Sequence, residues 1–537
     1  MKFILSRIKQ FGRDESGAFA VIFGVIAIVL IATGGSAVDF VNIQQARKTT
    51  QISLDATVLA LQPEIYKKSM GWIKNRANDL VEESLAGTDV AMSIETVQID
   101  KDAGRLYISA SISRPTLFVK LVGINQMSAL LISEATRAKN LLEVVMVLDN
   151  SGSMQSYGRM TALKDAATLA VDTLSGGEST PDKVFIGLVP FTQYVNIGNS
   201  NRKAKGVDTN GQSPLSWDNF DDDNNPSTGH DTTNPSDRLN RLAKYAAIPN
   251  ASWKGCVEAR SHDTSKPEAS RLDVNDVEPS YSSVPGYDYG ETLFVPVFEP
   301  DLPDWSYWNQ RGYMRDIKGG CSWNNSDRVR QEKECKYNGQ WVDYGSGENG
   351  DGPNAGCGDA EVLPLTNKMS DVKSGINAMV AEGGTNIHQG AIWGLRVLSP
   401  TAPFTEGVGY NEGASKVMIL MTDGANYASQ WGNFNGAYYY SAYGWPYNGR
   451  LGGVGWSNYS TIKEMDKRTK LSCERAKDAG IEVYTIGLSI SSTSSNGKML
   501  SACATSSSHD FFPNSTTELK DTFETIADQL SDLRISK

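Results

Sequence analysis

Residues 141–154, LLEVVMVLDNSGSM, constrain the fold more than any other stretch of this chain. Seven of the first eight residues are apolar and do not alternate with polar ones, which is typical of a strand covered on both faces. In sheets built from such strands, ligands collect at the carboxyl ends. That end carries Asp149, Ser151 and Ser153 at alternate positions. We therefore expect a functional site there, although the same residues also suit a simple polar turn.

Two distant segments offer oxygen atoms of the same kind. Thr385 lies in a glycine-flanked stretch, EGGTN, and residues 416–423, KVMILMTD, form a second apolar run that ends at Asp423. Hydroxyls with few carboxylates favour Mg²⁺ (or Mn²⁺) over Ca²⁺, which usually binds several carboxylate and carbonyl oxygens. The predicted metal ligands are Asp149, Ser151, Ser153, Thr385 and Asp423.

This set resembles the metal-ion-dependent adhesion site (MIDAS) of von Willebrand factor A (VWFA) domains. The motif of that family is Asp-x-Ser-x-Ser followed by a distant Thr and a distant Asp, and all five positions are matched. The resemblance implies an α/β fold with a doubly wound, mostly parallel, Rossmann-like sheet. It also implies that the two Ser and the Thr hold the metal directly, whereas the Asp residues often act through water.

The ligand count predicts how such a site binds a partner. Mg²⁺ normally takes six ligands, and three uncharged hydroxyls with two water-bridged carboxylates leave one position open. An Asp or Glu carboxylate of a protein partner would fill that position and supply the missing charge. The aromatic, glycine-rich residues 426–459 follow Asp423 and are expected to provide selectivity. Their Tyr438, Tyr439 and Tyr440 equally suit a role in stabilising that stretch.

Residues 18–38 form a run of 21 residues without a charge, which is enough to cross a membrane. Four basic residues precede this run, against Asp14 and Glu15. This asymmetry predicts a cytoplasmic N-terminus, with everything beyond Asp39 exported. A cleaved signal peptide is the alternative, because residues 35–37 would pass as a cleavage site. We expect a single-pass membrane protein whose bulk lies outside the cytoplasm.

The N-terminal region resembles TadG-like proteins of Flp pilus assembly. The likeness is carried by residues 13–18 (RDESGA), 37–40 (AVDF) and 54–61 (LDATVLAL), and it covers about sixty residues. It implies a component of a Tad/Flp-type pilus assembly or secretion apparatus, with the other components as partners. It also implies that the span lies in a bacterial inner membrane and that the bulk of the chain is periplasmic. A segment of this kind also serves as a generic membrane anchor.

Composition and periodicity divide the chain into three parts. Residues 1–62 form the TadG-like region, residues 63–140 an α+β connector and residues 141–537 the VWFA domain. An insertion at about 198–365 interrupts the last part, because the alternation of strands and helices stops there.

The insertion holds six of the eleven tryptophans and four of the six cysteines. A structureless loop of this length is improbable, so we expect a subdomain tied by disulfides. Its aromatic residues either face a partner or fill a small core of their own, and we favour the core. Cys473 and Cys503 lie outside the insertion and are expected to pair. The inserted cysteines, which allow three pairings, are Cys256, Cys321, Cys335 and Cys357.

Charge and side-chain chemistry exclude several functions. A formal net charge of -11 argues against nucleic acid as a partner. No nucleophile–base pairing is apparent, so we expect no enzyme. A metal-assisted hydrolase is one alternative, and a structural anchor whose metal binds nothing is another. His388 follows the Thr385 segment, but a single His is more often structural, and the acidic residues 221–225 lack the spacing of a Ca²⁺ loop.

Overall fold

The computed structural model describes two compact units. Residues 16–66, 68–100, 104–136, 141–220, 240–261, 263–276, 279–280, 282, 284–345, 351–410, 412–428, 435, 439–452 and 457–536 are described. The first unit extends to Lys139, and the second runs from Asn140 to Arg534.

The first unit is a three-stranded antiparallel sheet packed against two helices. Its elements are α1 (Ser16–Leu61), α2 (Met70–Ser84), β1 (Ala91–Asp100), β2 (Arg105–Pro115) and β3 (Gln126–Thr136). The strands lie in the order β1-β2-β3. Leu54 and Val58 of α1 are fully buried with Ile73 of α2 and Ile108 of β2. The second half of α1 is therefore a packing helix.

The first half of α1 has a different surface. It presents exposed apolar side chains from Val21 to Ile31. Among the described residues, α1 is the helix that is long and apolar enough to cross a membrane. An N-terminal signal sequence meets the same description.

The second unit is built on one large sheet. Its strands are β4 (Leu141–Asp149), β5 (Val184–Phe191), β6 (Val195–Asn196), β7 (Cys256–Val257), β8 (Leu363–Thr366), β9 (Ala414–Thr422), β10 (Glu482–Gly487) and β11 (Asp510–Phe511). Its helices are α3 (Arg159–Ser175), α4 (Arg241–Ala247), α5 (Asp327–Glu332), α6 (Met369–Ala378), α7 (Ile387–Leu398), α8 (Asn458–Asp478), α9 (Ser495–Cys503) and α10 (Thr516–Ser536). The strand order is β11-β10-β9-β4-β5-β6-β7, and β8 pairs with β5.

The direction of the strands corrects part of the prediction. The strands β11, β10, β9, β4 and β5 are parallel, as expected for a doubly wound sheet. In contrast, β6 and β8 each pair antiparallel to β5, and β7 pairs antiparallel to β6. The turn between β5 and β6 is too short for the crossover that a parallel neighbour requires. The fold is therefore a mixed α/β sheet with a parallel centre.

Both faces of the parallel centre are covered, which explains why the residues of β4 from Val144 to Leu148 are all apolar. Val145 and Val147 belong to a core that includes Trp393 of α7. Val144 and Met146 belong to a second core with side chains of α3, α6 and α10. Because successive residues of a strand point to opposite faces, both sets must be apolar.

Many aromatic residues of the insertion extend the core of the sheet, whereas others are exposed, namely Trp305, Tyr307, Trp308, Trp341 and Tyr344. Trp217, Phe294 and Phe298 are buried in the same cluster as Val145 and Trp393. The expectation of a separate small core is therefore wrong for these residues. The expectation was based on local composition alone. The burial of Trp217, however, depends on packing near α7, which lies more than a hundred residues further along the chain.

All six cysteines are paired in three disulfides. The expected bond between Cys473 and Cys503 joins α8 to α9. The pairing of the inserted cysteines is Cys256 with Cys357 and Cys321 with Cys335.

Candidate metal site

Three neighbouring parallel strands bring their carboxyl ends to one place. Asp149 is the last residue of β4, Thr422 ends β9 and Phe191 ends β5. The segment that carries Thr385 enters this edge directly before α7. The structure therefore places the five predicted ligands together, although they are separated by up to 274 positions along the chain.

Four of the five side chains form a continuous series of oxygen atoms. The Thr385 hydroxyl donates to Ser151 Oγ at 2.8 Å. Ser151 Oγ lies 3.2 Å from Ser153 Oγ, and the Ser153 hydroxyl donates to Asp423 Oδ1 at 2.5 Å. Ser153 is exposed, whereas Ser151, Thr385 and Asp423 are buried. The series is therefore open to an incoming group at Ser153.

Asp149 lies behind this series. Its Oδ1 accepts the Ser151 backbone N–H at 2.8 Å, and its Oδ2 accepts the Thr422 hydroxyl at 2.6 Å. The carboxylate is completely buried. Burial raises the pKa of Asp149 to about 6, and the charge of Asp423 adds to this effect, while hydrogen bonds from Ser151 and Thr422 oppose it. A buried carboxylate of this kind is stabilised by a nearby positive charge.

Backbone hydrogen bonds fix the Thr385 segment against the end of β4. The N–H of Gly152 donates to the carbonyl of Gly383 at 3.1 Å, and the N–H of Glu382 donates to the carbonyl of Asn150 at 3.0 Å. A Cβ atom on Gly152 would lie 3.3 Å from the Gly383 carbonyl oxygen, and Gly383 itself has φ +67°. Glycine at both positions therefore permits the close approach that brings Thr385 to Ser151.

Arg159 is a site residue that the sequence pattern did not reveal. It is the first residue of α3, and its Nη1 lies 2.7 Å from Asp423 Oδ2. A basic residue ten positions after Asp149 is a weak signal, because most such residues point into solvent. Arg159 thus adds a permanent positive charge to the two carboxylates, Asp149 and Asp423, at this edge of the sheet.

The donor set fits a small divalent cation. Within the described ranges, no three His, Cys, Asp or Glu side chains are grouped so that they could hold a metal ion, so any metal here depends on the hydroxyls. A Mg²⁺–oxygen distance of about 2.1 Å places neighbouring ligand oxygens about 3.0 Å apart. The spacings of 2.8 and 3.2 Å between the three hydroxyl oxygens are close to that value.

His388 is a structural residue and not a ligand-facing one. Its Nε2 lies 2.6 Å from the carbonyl oxygen of Asp273, and its Nδ1 lies 2.6 Å from the Tyr443 hydroxyl. The imidazole is completely buried, and this burial, with the nearby charge of Arg396, lowers its pKa to about 3. It is therefore neutral at physiological pH.

The described part of residues 426–459 lies beside the Thr385 segment. The N–H of Tyr427 donates to the Thr385 carbonyl at 2.8 Å, and the Tyr427 ring is exposed. Tyr443 and Trp445 line a cleft with Gln193 and Asn386. Tyr439 is exposed and Tyr440 is buried, while Tyr438 and the acidic residues 221–225 lie outside the described residues. The stretch thus offers exposed aromatic rings next to the oxygen series.

Comparisons with known proteins give structural neighbours only. No family model matches the chain, and no curated protein matches it. The solved neighbours include pilus adhesins and von Willebrand factor type A domains. The pilus adhesin SpaC from Lactobacillus rhamnosus GG has a TM-score of 0.31 and 12% identity, covering 83% of this chain and 34% of that chain.

Two further neighbours have similar scores. The vWF domain of the type V pili tip protein Mfa5 from Porphyromonas gingivalis has a TM-score of 0.33 and 12% identity, covering 74% of this chain and 98% of that chain. The pilus adhesin RrgA from Streptococcus pneumoniae has a TM-score of 0.33 and 12% identity, covering 82% of this chain and 49% of that chain. This chain spans about a third of the length of SpaC. At these scores the neighbours carry no argument about function.

Proposed function

We propose that this chain is a membrane-anchored, periplasmic binding protein that captures a protein partner through a metal-dependent adhesion site. The observation that carries the proposal is the series of oxygen atoms from Thr385 through Ser151 and Ser153 to Asp423 at the ends of parallel strands. The motif in the sequence resembles that of VWFA domains, and the spacing of the oxygens suits Mg²⁺ or Mn²⁺.

Each side chain has a distinct part in the proposed mechanism. Ser151, Ser153 and Thr385 would hold the cation through uncharged oxygens, and Asp149 and Asp423 would provide the negative charge. The cation, when bound, supplies a Lewis-acidic position for an oxygen of the partner. Ser153 is the exposed member of the series, so the partner approaches on its side.

The charge balance favours an acidic partner. Two carboxylates and the guanidinium of Arg159 leave one net negative charge at the edge. A divalent cation turns this into one net positive charge, which an incoming Asp or Glu carboxylate neutralises. The exposed Tyr427 ring lies beside the Thr385 segment, and we propose that it provides selectivity together with the cleft that Tyr443 and Trp445 line with Asn386.

The proposal includes the cellular setting that the N-terminal region suggests. The first half of α1 anchors the chain in the inner membrane, and the chain beyond this span lies in the periplasm. The exposed apolar surface of that half and the three disulfides support this arrangement. The TadG-like residues favour a Tad/Flp-type pilus or secretion apparatus as the complex in which the chain functions.

We assign no catalysis to the site. General-base chemistry needs a titratable group within reach of the substrate. His388 is buried, neutral and engaged with Tyr443 and Asp273. Asp149 is buried, and both of its carboxylate oxygens accept hydrogen bonds, so besides the two Asp residues assigned to the metal no base is in view among the described residues. The described residues at this edge act by binding.

A capture experiment tests the proposal. The partner is cross-linked in living cells and recovered with the tagged full chain, with and without chelator. Asp149→Ala, Asp423→Ala and Thr385→Ala are expected to abolish recovery while the protein stays folded. Ser156→Ala is the matched control, because Ser156 is an exposed hydroxyl near the motif that lies outside the series.

A direct measurement separates metal binding from capture. Mn²⁺ titrated into the metal-free full chain is expected to bind once, and Asp423→Ala is expected to abolish that binding. Capture that persists in excess chelator and in both Asp variants would refute the adhesion mechanism. Metal binding without any metal-dependent capture would leave a structural anchor as the function.

A further inference from the structure

The tip of the hairpin between β2 and β3 exposes an unusual apolar surface. Residues 116–125, TLFVKLVGIN, connect the two strands and contain one charged residue, Lys120. The exposed fractions are 69% for Leu117, 59% for Leu121, 57% for Val122 and 49% for Ile124. Contiguous exposed apolar side chains mark a surface that is covered by a partner or a membrane.

This tip is fixed to α1 by the side chain of Asp39. The carboxylate accepts the backbone N–H groups of Leu117, Phe118 and Val119 at 2.9, 2.8 and 2.9 Å. Hydrogen bonds from three backbone donors to one carboxylate hold the loop in a single position. The tip therefore does not swing away from α1.

Close packing places the tip at the level of the apolar run. The Phe118 ring occupies the space beside Gly35, where a Cβ atom would lie 2.2 Å from a ring carbon. Gly35 belongs to residues 18–38 and lies four residues before Asp39, which is about 6 Å along the helix. Phe118 therefore packs beside a residue of the apolar run, three positions before the run ends at Val38.

We propose that residues 117–124 insert into the outer part of the bilayer beside the exit of α1. The proposal rests on the membrane span in the proposed function, and it adds a second attachment point to the first compact unit. Leu117, Leu121, Val122 and Ile124 enter the apolar layer, while the exposed Lys120 reaches the lipid phosphates along its flexible stem. The occupant is the lipid bilayer, because the apolar surface of the tip continues that of the spanning helix.

Depth-dependent quenching tests the insertion. The full chain is reconstituted into vesicles of phosphatidylethanolamine and phosphatidylglycerol, and a fluorescent maleimide is attached at Leu121→Cys. Each native cysteine is in a disulfide, so the introduced thiol is the one that reacts. Glu134→Cys is the control, because this exposed residue lies about 27 Å further along β3 than Gln126.

A probe at Ile28→Cys reports the span itself, because Ile28 is an exposed residue of the apolar run. We expect quenchers attached to lipid tails to act on the probes at Leu121 and Ile28 several-fold more strongly than on the probe at Glu134. Quenching at Ile28 alone would overturn the inference and leave the span intact. Quenching at neither position would overturn the span as well.

The same vesicles show whether lipid or another protein covers the hairpin tip. A water-soluble quencher is expected to reach Glu134 and not Leu121. Protection of Leu121 from both quenchers would mean that a second copy or another protein covers the tip, which would also overturn the inference. As a further check, Leu121→Ser with Val122→Ser is expected to increase access of the water-soluble quencher at a probe on Ile124→Cys.

Discussion

Replacing Arg159 with methionine removes a cation that contacts the oxygen series and keeps an unbranched stem. In the structure, Arg159 Nη1 lies 2.7 Å from Asp423 Oδ2, so guanidinium and metal compete for the same carboxylate. We expect Arg159→Met to strengthen metal binding. We also expect it to weaken capture of an acidic partner, because the site loses a positive charge.

The size of the effect follows from the burial of the pair. The Arg159 side chain is 20% exposed and the Asp423 side chain is 0% exposed. A hydrogen bond between charged groups contributes about 1.5–3 kcal/mol, and we take the lower end because solvent screens the partly exposed guanidinium. Since about 1.4 kcal/mol corresponds to tenfold in an equilibrium constant, metal affinity should rise about tenfold. The metal-free protein should lose about 1.5 kcal/mol of its free energy of unfolding.

Calorimetric titration of Mn²⁺ into the metal-free full chain measures the affinity, and urea unfolding measures the stability. Lys164→Met is the matched control, because Lys164 is also on α3 but donates to the carbonyl of Asn377 at 2.9 Å. That control should leave the affinity unchanged. An affinity that stays the same or falls in Arg159→Met would refute the reasoning, since Arg159 would then orient Asp423 and not compete for it.

Three further predictions concern stability and topology. Replacing Cys473 and Cys503 together by alanine should cost about 3 kcal/mol, because the bond closes a segment with a sequence separation of 30, and urea unfolding of the variant measures this loss. His388, which contacts Tyr443 and lies near Arg396, has a pKa lowered to about 3, so the stability that it contributes is lost as pH falls from about 6.5 toward 3. Unfolding midpoints should therefore fall less steeply with acid in His388→Gln than in the wild type, and equal slopes would contradict the assignment. A reporter enzyme fused after Lys537 should be active only outside the cytoplasm, and activity inside would exclude the proposed topology.

Much of the architecture was predictable because it depends on local patterns. The apolar run before Asp149 predicted a strand covered on both faces, and the structure has a core on each side of β4. The spacing of Asp149, Ser151 and Ser153 predicted a site at the end of that strand. The structure brings Thr385 and Asp423 to the same place, while the metal itself stays a prediction.

Other features depend on residues that are distant in the sequence. The burial of His388 is decided by Tyr443 and Asp273, and the partner of Arg159 is Asp423, which lies 264 positions away. No periodicity in either segment signals these contacts. The antiparallel strands β6 to β8 also escaped prediction, because strands of two to four residues carry too little alternation to be recognised.

The sequence by itself therefore determined the two apolar strands that lead to Asp149 and Asp423, the long apolar helix and the candidate ligands, because hydrophobic period and residue chemistry are local properties. The tertiary structure decided how the four inserted cysteines pair, which aromatic residues join the core, where Arg159 lies and how Asp39 holds the hairpin tip. These features result from packing between segments far apart in the chain. Their free energy depends on contacts that exist only after the elements have come together.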